Sequence, residues 1–116
     1  MGNIINGTNG ADNLFAGNGG DTLNGLDGND GLYGGNGNDV INGGGGNDFI
    51  NVRAKGSDTV DGGDGIDRVT YYTTVGQLKV NLETGEADDG SGFIDHLSNI
   101  ERISGSSGFA DIITGR

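Results

Sequence analysis

The chain has 116 residues, 27 of them glycine, with no proline and no cysteine, and its formal net charge is −11. So few large apolar residues exclude a thick core, and the lack of cysteine excludes disulfides and thiol chemistry while remaining compatible with a secreted protein. No apolar run is long enough to span a membrane, and residues 1 to 52 carry six aspartates but no Lys or Arg, which makes nucleic acid a poor partner.

Residues 1 to 6 (MGNIIN) are predicted as a partial first strand, with Ile4 or Ile5 covering one end of the fold. Met1-Gly2 is not a myristoylation start, because Asn6 stands where Ser or Thr is required; it reads as a start codon added to an excised fragment. No signal peptide precedes the next segment, so export would be directed from elsewhere. Asn6-Gly7-Thr8 fits the glycosylation pattern, a chance match in sequence this rich in Asn and Gly.

From Gly7 to Asn51 run five consecutive nine-residue units: GTNGADNLF, AGNGGDTLN, GLDGNDGLY, GGNGNDVIN and GGGGNDFIN. Asp12, Asp21, Asp30, Asp39 and Asp48 are nine apart, and each is followed two residues later by Leu14, Leu23, Leu32, Ile41 or Ile50. A disordered linker has no reason to hold that phase. The Gly- and Asn-rich half of each unit favours positive φ and must turn, while the remainder fits a very short strand with one inward aliphatic side chain.

If each turn reverses the chain, two units make one coil of 18 residues, and units two apart stack at about 4.8 Å. Asp12, Asp30 and Asp48 then form one column, and Asp21 and Asp39 another. Bare carboxylates at that spacing repel by roughly 3 to 4 kcal/mol per pair at an effective dielectric near 20. A cation must lie between them. The turns offer only carboxylate and carbonyl oxygens on flexible loops, a donor set that suits calcium better than zinc, copper or magnesium. With so few inward aliphatics, the bound ion must supply much of the stability, which makes folding and metal binding one equilibrium.

These units resemble the repeats-in-toxin (RTX) nonapeptide GGxGxDxUx, where U is a large aliphatic residue; residues 34 to 42 and 43 to 51 match fully. The resemblance implies an all-β fold, a right-handed parallel β-roll, binding about three to five calcium ions between turns. The implied ligands are the sixth-position carboxylates of Asp12, Asp21, Asp30, Asp39, Asp48, Asp58 and Asp67. Carbonyls of Gly10, Gly17, Gly19, Gly28, Gly35, Gly37, Gly44, Gly46, Gly63 and Gly65 complete the set. Thr8, Ala16 and Leu26 replace glycines of the pattern, which is tolerable if they keep negative φ.

After Ile50 the pattern degrades. VRAKGSDTV keeps Asp58 and Val60 but has one extra residue and puts Arg53, Ala54 and Lys55 where the turn is expected, so these cations should weaken a calcium site or replace its ion. GGDGIDRVT (62 to 70) restores the pattern with Asp67. Sites are expected between Asp12 and Asp30, Asp21 and Asp39, and Asp30 and Asp48, with those at Asp58 and Asp67 weaker.

The roll is therefore assigned to residues 1–70 and a β-rich cap that continues it to residues 71–116. LKVNLE (78 to 83) alternates as a half-buried strand, Thr84-Gly85 turns it, and EADDGSG (86 to 92), with Asp88 and Asp89, reads as a solvated acidic loop. Residues 71 to 104 are expected as wider coils that cover open strand edges, with Tyr71, Tyr72 and Phe93 packed inside the cap. The tail from Asp95 to Gly115 resembles the segment that closes or separates RTX blocks, carried by Asp95, Leu97, Asn99, Ile100, Glu101, Ile103, Gly105, Asp111 and Ile113. It also echoes residues 5 to 17, as though another block would begin.

No nucleophile elbow or EF-hand loop occurs, and the Asp95-His96 pair reads as structural, so the chain is expected to be non-enzymatic. What the resemblance implies is a calcium-binding, secreted segment of a larger bacterial protein exported by a type I system, with neighbouring domains as partners. The rival reading is a polysaccharide- or cell-surface-binding module that uses the outward rows Asn13, Thr22, Asn24, Asn42 and Asn51.

Overall fold

A computed structural model describes residues 4–17, 19–35, 37–52, 56–70, 79–81, 84–88, 94–104 and 112–114, and among these every regular element is a strand. In chain order the strands are β1 (Ile4–Asn6), β2 (Asn13–Phe15), β3 (Thr22–Asn24), β4 (Gly31–Tyr33), β5 (Val40–Asn42), β6 (Phe49–Asn51), β7 (Thr59–Asp61) and β8 (Arg68–Thr70). They are followed by β9 (Lys79–Asn81), β10 (Glu86–Asp88), β11 (Ile94–Ser98), β12 (Arg102–Ser104) and β13 (Ile112–Thr114).

Alternate strands stack in parallel on two faces. One sheet begins β1-β3-β5-β7-β11, and the other runs β12-β8-β6-β4-β2. The register places Ile5, Leu23, Ile41, Val60 and Leu97 in one column and Leu14, Leu32, Ile50, Val69 and Ile103 in the other. Leu23, Leu32, Ile41, Ile50, Val60 and Val69 are fully buried between the sheets, while Ile5, Leu14 and Ile103 are half-buried at the ends. The core is a double row one side chain thick, as a period with a single inward aliphatic per unit requires. The chain is a parallel β-solenoid.

The extra residue of the degenerate unit leaves the pairing intact. Strands pair at an offset of 18 up to Gly31↔Phe49 and at 19 for Val40↔Thr59 and Phe49↔Arg68, and Val52 is buried in the core. Leu26 departs from expectation: its φ is 68°, whereas Thr8 and Ala16 keep negative φ. The cause is the stack, since the same turn position is left-handed at Gly44 (85°) and Gly63 (80°), and the Leu26 carbonyl points at Gly44.

Beyond Thr70, β11 and β12 lie parallel to β7 and β8 as one further coil, but β9, β10 and β11 pair antiparallel. Part of the segment expected as wider coils is thus a hairpin, which extends the first sheet and receives β13 on its far side. The acidic stretch expected as a loop contributes β10 instead, because Ala87 is fully buried opposite Val80. Tyr71, Tyr72, Asp89 and Phe93 lie outside the described residues, as do Gly105 and Asp111 of the tail likeness.

Candidate metal centres between successive turns

Each of β2 to β8 is preceded by an aspartate, and from Asp21 onward the turn delivers its carboxylate to the solenoid interior. Asp21, Asp30, Asp39, Asp48, Asp58 and Asp67 are all at most 3% exposed. Within a column, each aspartate N–H donates to the carboxylate one coil further on. Asp12 to Asp30 (2.9 Å), Asp30 to Asp48 (3.0 Å) and Asp48 to Asp67 (2.8 Å) form one ladder, and Asp21 to Asp39 (2.9 Å) and Asp39 to Asp58 (2.8 Å) form the other. The aspartate carbonyls continue it, accepting the N–H that follows the next aspartate: Gly31 to Asp12 (2.7 Å), Phe49 to Asp30 (2.8 Å) and Arg68 to Asp48 (2.9 Å).

All seven predicted aspartates therefore fall in two columns, with Asp67 joining the first and Asp58 the second. Two further carboxylates lie above them. Asp67 N–H donates to Glu101 Oε1 (2.8 Å) and Asp58 N–H to Asp95 Oδ1 (2.7 Å). The nine-residue period does not reach Asp95 and Glu101; the available signal was their place in the tail likeness.

The ladder uses Oδ1. At the first turns Oδ2 is held locally, by Thr8 N–H at Asp12 and Gly17 N–H at Asp21, both 2.6 Å. Deeper in the stack, Oδ2 of Asp30, Asp39, Asp48 and Asp67 is buried with no hydrogen-bond partner. A buried carboxylate oxygen without a donor is costly unless a cation meets it. Burial, reinforced by neighbouring carboxylates, pushes all four up from the ordinary carboxylate range: Asp48 to about 7, with Asp67 and Asp30 adding to the effect, and Asp67 to about 6, with Glu101 and Asp61 adding.

The turn carbonyls face the same gaps. A Cβ on Gly35 would strike the Gly17 carbonyl, one on Gly46 that of Gly28, one on Gly63 that of Gly44, one on Gly65 that of Gly46, and one on Gly56 that of Gly37. One on Gly28 would meet the Gly10 carbonyl at 2.6 Å. These oxygens point along the stack toward the next layer, and Gly44 O also accepts Asp64 N–H (3.1 Å). Gly19 is half-buried in the turn that carries Asp21. Among the described residues no three of His, Asp and Glu cluster, so a cation here would be held by carboxylates of adjacent layers and completed by carbonyls. Calcium accepts six to eight oxygens of this mixed kind, and the orphaned Oδ2 atoms fit it.

The turn asparagines have a role that turn propensity did not reveal. Asn29 Oδ1 accepts Asn47 N–H, Asn47 Oδ1 accepts Ile66 N–H, and Asn38 Oδ1 accepts Ser57 N–H, at 2.7 to 2.8 Å. On the outer face, the row considered for a surface ligand is partly a ladder, with Asn24 Nδ2 donating to Asn6 and Asn42 Nδ2 to Asn24, each at 2.9 Å. Phe15 stacks on Tyr33 (4.6 Å, 8°), and Phe49 tilts against the same ring (6.3 Å). His96 is exposed and Asp95 buried, because adjacent strand residues face opposite ways, so the two form no dyad.

The fold and its oxygen-lined turns define a stacked repeat module. The model of the RTX calcium-binding nonapeptide repeat (4 copies) matches residues 2–32, 15–50 and 54–70, more than half of the chain. The chain belongs to that family, a structural calcium-binding module. A search of curated proteins found no match. Among the described residues no helix is long and apolar enough to cross a membrane.

Proposed function

We propose that this chain is the calcium-triggered folding segment of a larger bacterial extracellular protein. It is unfolded where calcium is scarce, as in the cytoplasm, and rigid once outside, where extracellular modules bind at about 10⁻⁴ to 10⁻³ M. Residues 1–70 act as the roll and 71–116 as its cap. The ligands are Asp12, Asp21, Asp30, Asp39, Asp48, Asp58 and Asp67 with the turn carbonyls, for about three to five ions per chain.

The observation that carries this reading is the set of orphaned, buried Oδ2 atoms in successive layers. Without an ion each layer buries carboxylates that repel one another, and with one the same oxygens become ligands, so binding free energy is folding free energy. The type I route and the external location are supported by the habit of RTX repeats of occurring in secreted bacterial proteins. Circular dichroism with calcium and with excess EDTA tests the switch: β-signal only with calcium is expected, and a folded spectrum in EDTA would overturn it.

A further inference from the structure

We propose that a further calcium ion is held above the last repeat turn, between Asp67 and the non-repeat bend Asn99–Glu101. The proposal rests on the calcium-dependent function proposed for the repeats and extends it to residues outside the nonapeptide pattern.

Repeat turns such as 25 to 30 take six residues between strands, whereas the bend between β11 and β12 takes three, 99 to 101. It nonetheless reproduces the contacts of a full turn. Gly62 N–H donates to Ser98 O (3.0 Å) as Gly43 N–H does to Asp61 O (2.8 Å). Arg102 N–H donates to Asp67 O (3.0 Å) as Arg68 N–H does to Asp48 O (2.9 Å). Asp67 N–H donates to Glu101 Oε1 at the same 2.8 Å as Asp48 N–H to Asp67 Oδ1.

The carbonyls match too. A Cβ on Gly43 would meet the Gly62 carbonyl at 2.6 Å and Asp48 Oδ2; one on Gly62 would meet the Asn99 carbonyl, and Asp67 Oδ2 at 2.6 Å. Asn99 supplies that carbonyl from a left-handed conformation (φ 54°), which Asn tolerates, and its Nδ2 donates to Asp61 Oδ1 (2.9 Å). Glutamate has one methylene more than aspartate, which lets a shorter bend place a carboxylate in the column.

An independent pointer to a ligand is Asp67 itself. The residue is fully buried and its Oδ2 has no partner, on the side where the Asn99 carbonyl also lies. Asp67 Oδ2 and the Asn99 carbonyl face one gap, and Oε1 of Glu101 is held at the Asp67 backbone N–H; these are all hard oxygen donors, which suit a divalent ion of the calcium type. Glu101 is exposed, so water completes this shell and the site is weaker than those between full turns.

Glu101→Gln removes the charge but keeps an oxygen for Asp67 N–H. Equilibrium dialysis with radioactive calcium should show the variant binding one ion fewer per chain than wild type, with its β-type dichroism in saturating calcium retained. Equal stoichiometry would overturn the proposal alone, and a wild-type chain that binds no calcium would overturn the underlying reading as well. Should the variant fail to fold, wild-type crystals soaked in Tb³⁺ decide. An anomalous peak bridging Asp67 and Glu101 is expected, and peaks confined to the other layers would refute it.

Discussion

Asp48 Oδ1 accepts the backbone N–H of Asp30 at 3.0 Å while its own Oδ2 is buried without a partner. One carboxylate thus serves two functions at once, holding the preceding layer by a hydrogen bond and offering a charged oxygen to whatever lies between layers.

The two functions are separable by mutation. Asp48→Asn keeps the acceptor for Asp30 N–H and loses the charge, so it should raise the calcium concentration needed for folding with little further loss once calcium is saturating. Asp48→Ala also leaves a buried amide unpaired and should cost a further ~1 to 3 kcal/mol in urea unfolding at saturating calcium. An Asn variant with an unchanged calcium midpoint would remove Asp48 from the ligand set.

The raised carboxylates predict opposite pH responses with and without calcium. In metal-free buffer the folded-state values, about 7 for Asp48 and about 6 for Asp67, lie above the ordinary 3.8. A group raised on folding stabilises the compact state fully below its unfolded value, and that contribution is lost as pH rises through the folded one. Any compact metal-free form should therefore appear on acidification and disappear between about pH 4 and 7. With calcium the ligands must be ionised, so the calcium midpoint should worsen as pH falls through the same window. Dichroism across pH at fixed calcium and in EDTA measures both slopes.

Leu26 occupies a left-handed conformation that costs an L-residue roughly 1 to 2 kcal/mol. Glycine's greater unfolded-state freedom offsets about 0.5 to 1 kcal/mol of that. Leu26→Gly should therefore raise stability in saturating calcium by up to ~1 kcal/mol, opposite in sign to the usual Leu→Gly change. Thermal melts of the calcium-loaded protein test it.

Ile41 is fully buried in a core one side chain thick, with Leu23 and Val60 above and below. Ile41→Ala should cost about 2 to 5 kcal/mol in calcium-saturated unfolding. Val40→Ala, at a position 39% exposed on the adjacent outer face, should cost far less.

What the sequence made legible was whatever recurs. Leu23, Leu32, Ile41 and Ile50 announce the core and Asp12 to Asp48 the columns because each repeats in phase, so one unit's environment is every unit's environment. Asp95 and Glu101 complete the same columns from segments without the period, the first from a strand and the second from a three-residue bend, and only three-dimensional stacking brings them there. Ala87 was hidden for another reason: flanked by Glu86 and Asp88, a methyl group carries little hydrophobic signal, yet opposite Val80 it suffices to seat a strand. Asn29, Asn38 and Asn47 were legible as turn formers, but their amide oxygens act between layers, which a one-dimensional reading does not contain.

The ladder of aspartate amides also gives the solenoid a head and a tail. Every donor points toward the later coil, so one end presents the half-buried carboxylate of Asp12, while at the other Asp95 and Glu101 occupy the donors. Two such bodies meeting by their leading ends would set anion against anion, and no twofold axis through that end could be satisfied. Only a polypeptide layer running in the same sense, amides foremost, can prolong the stack there.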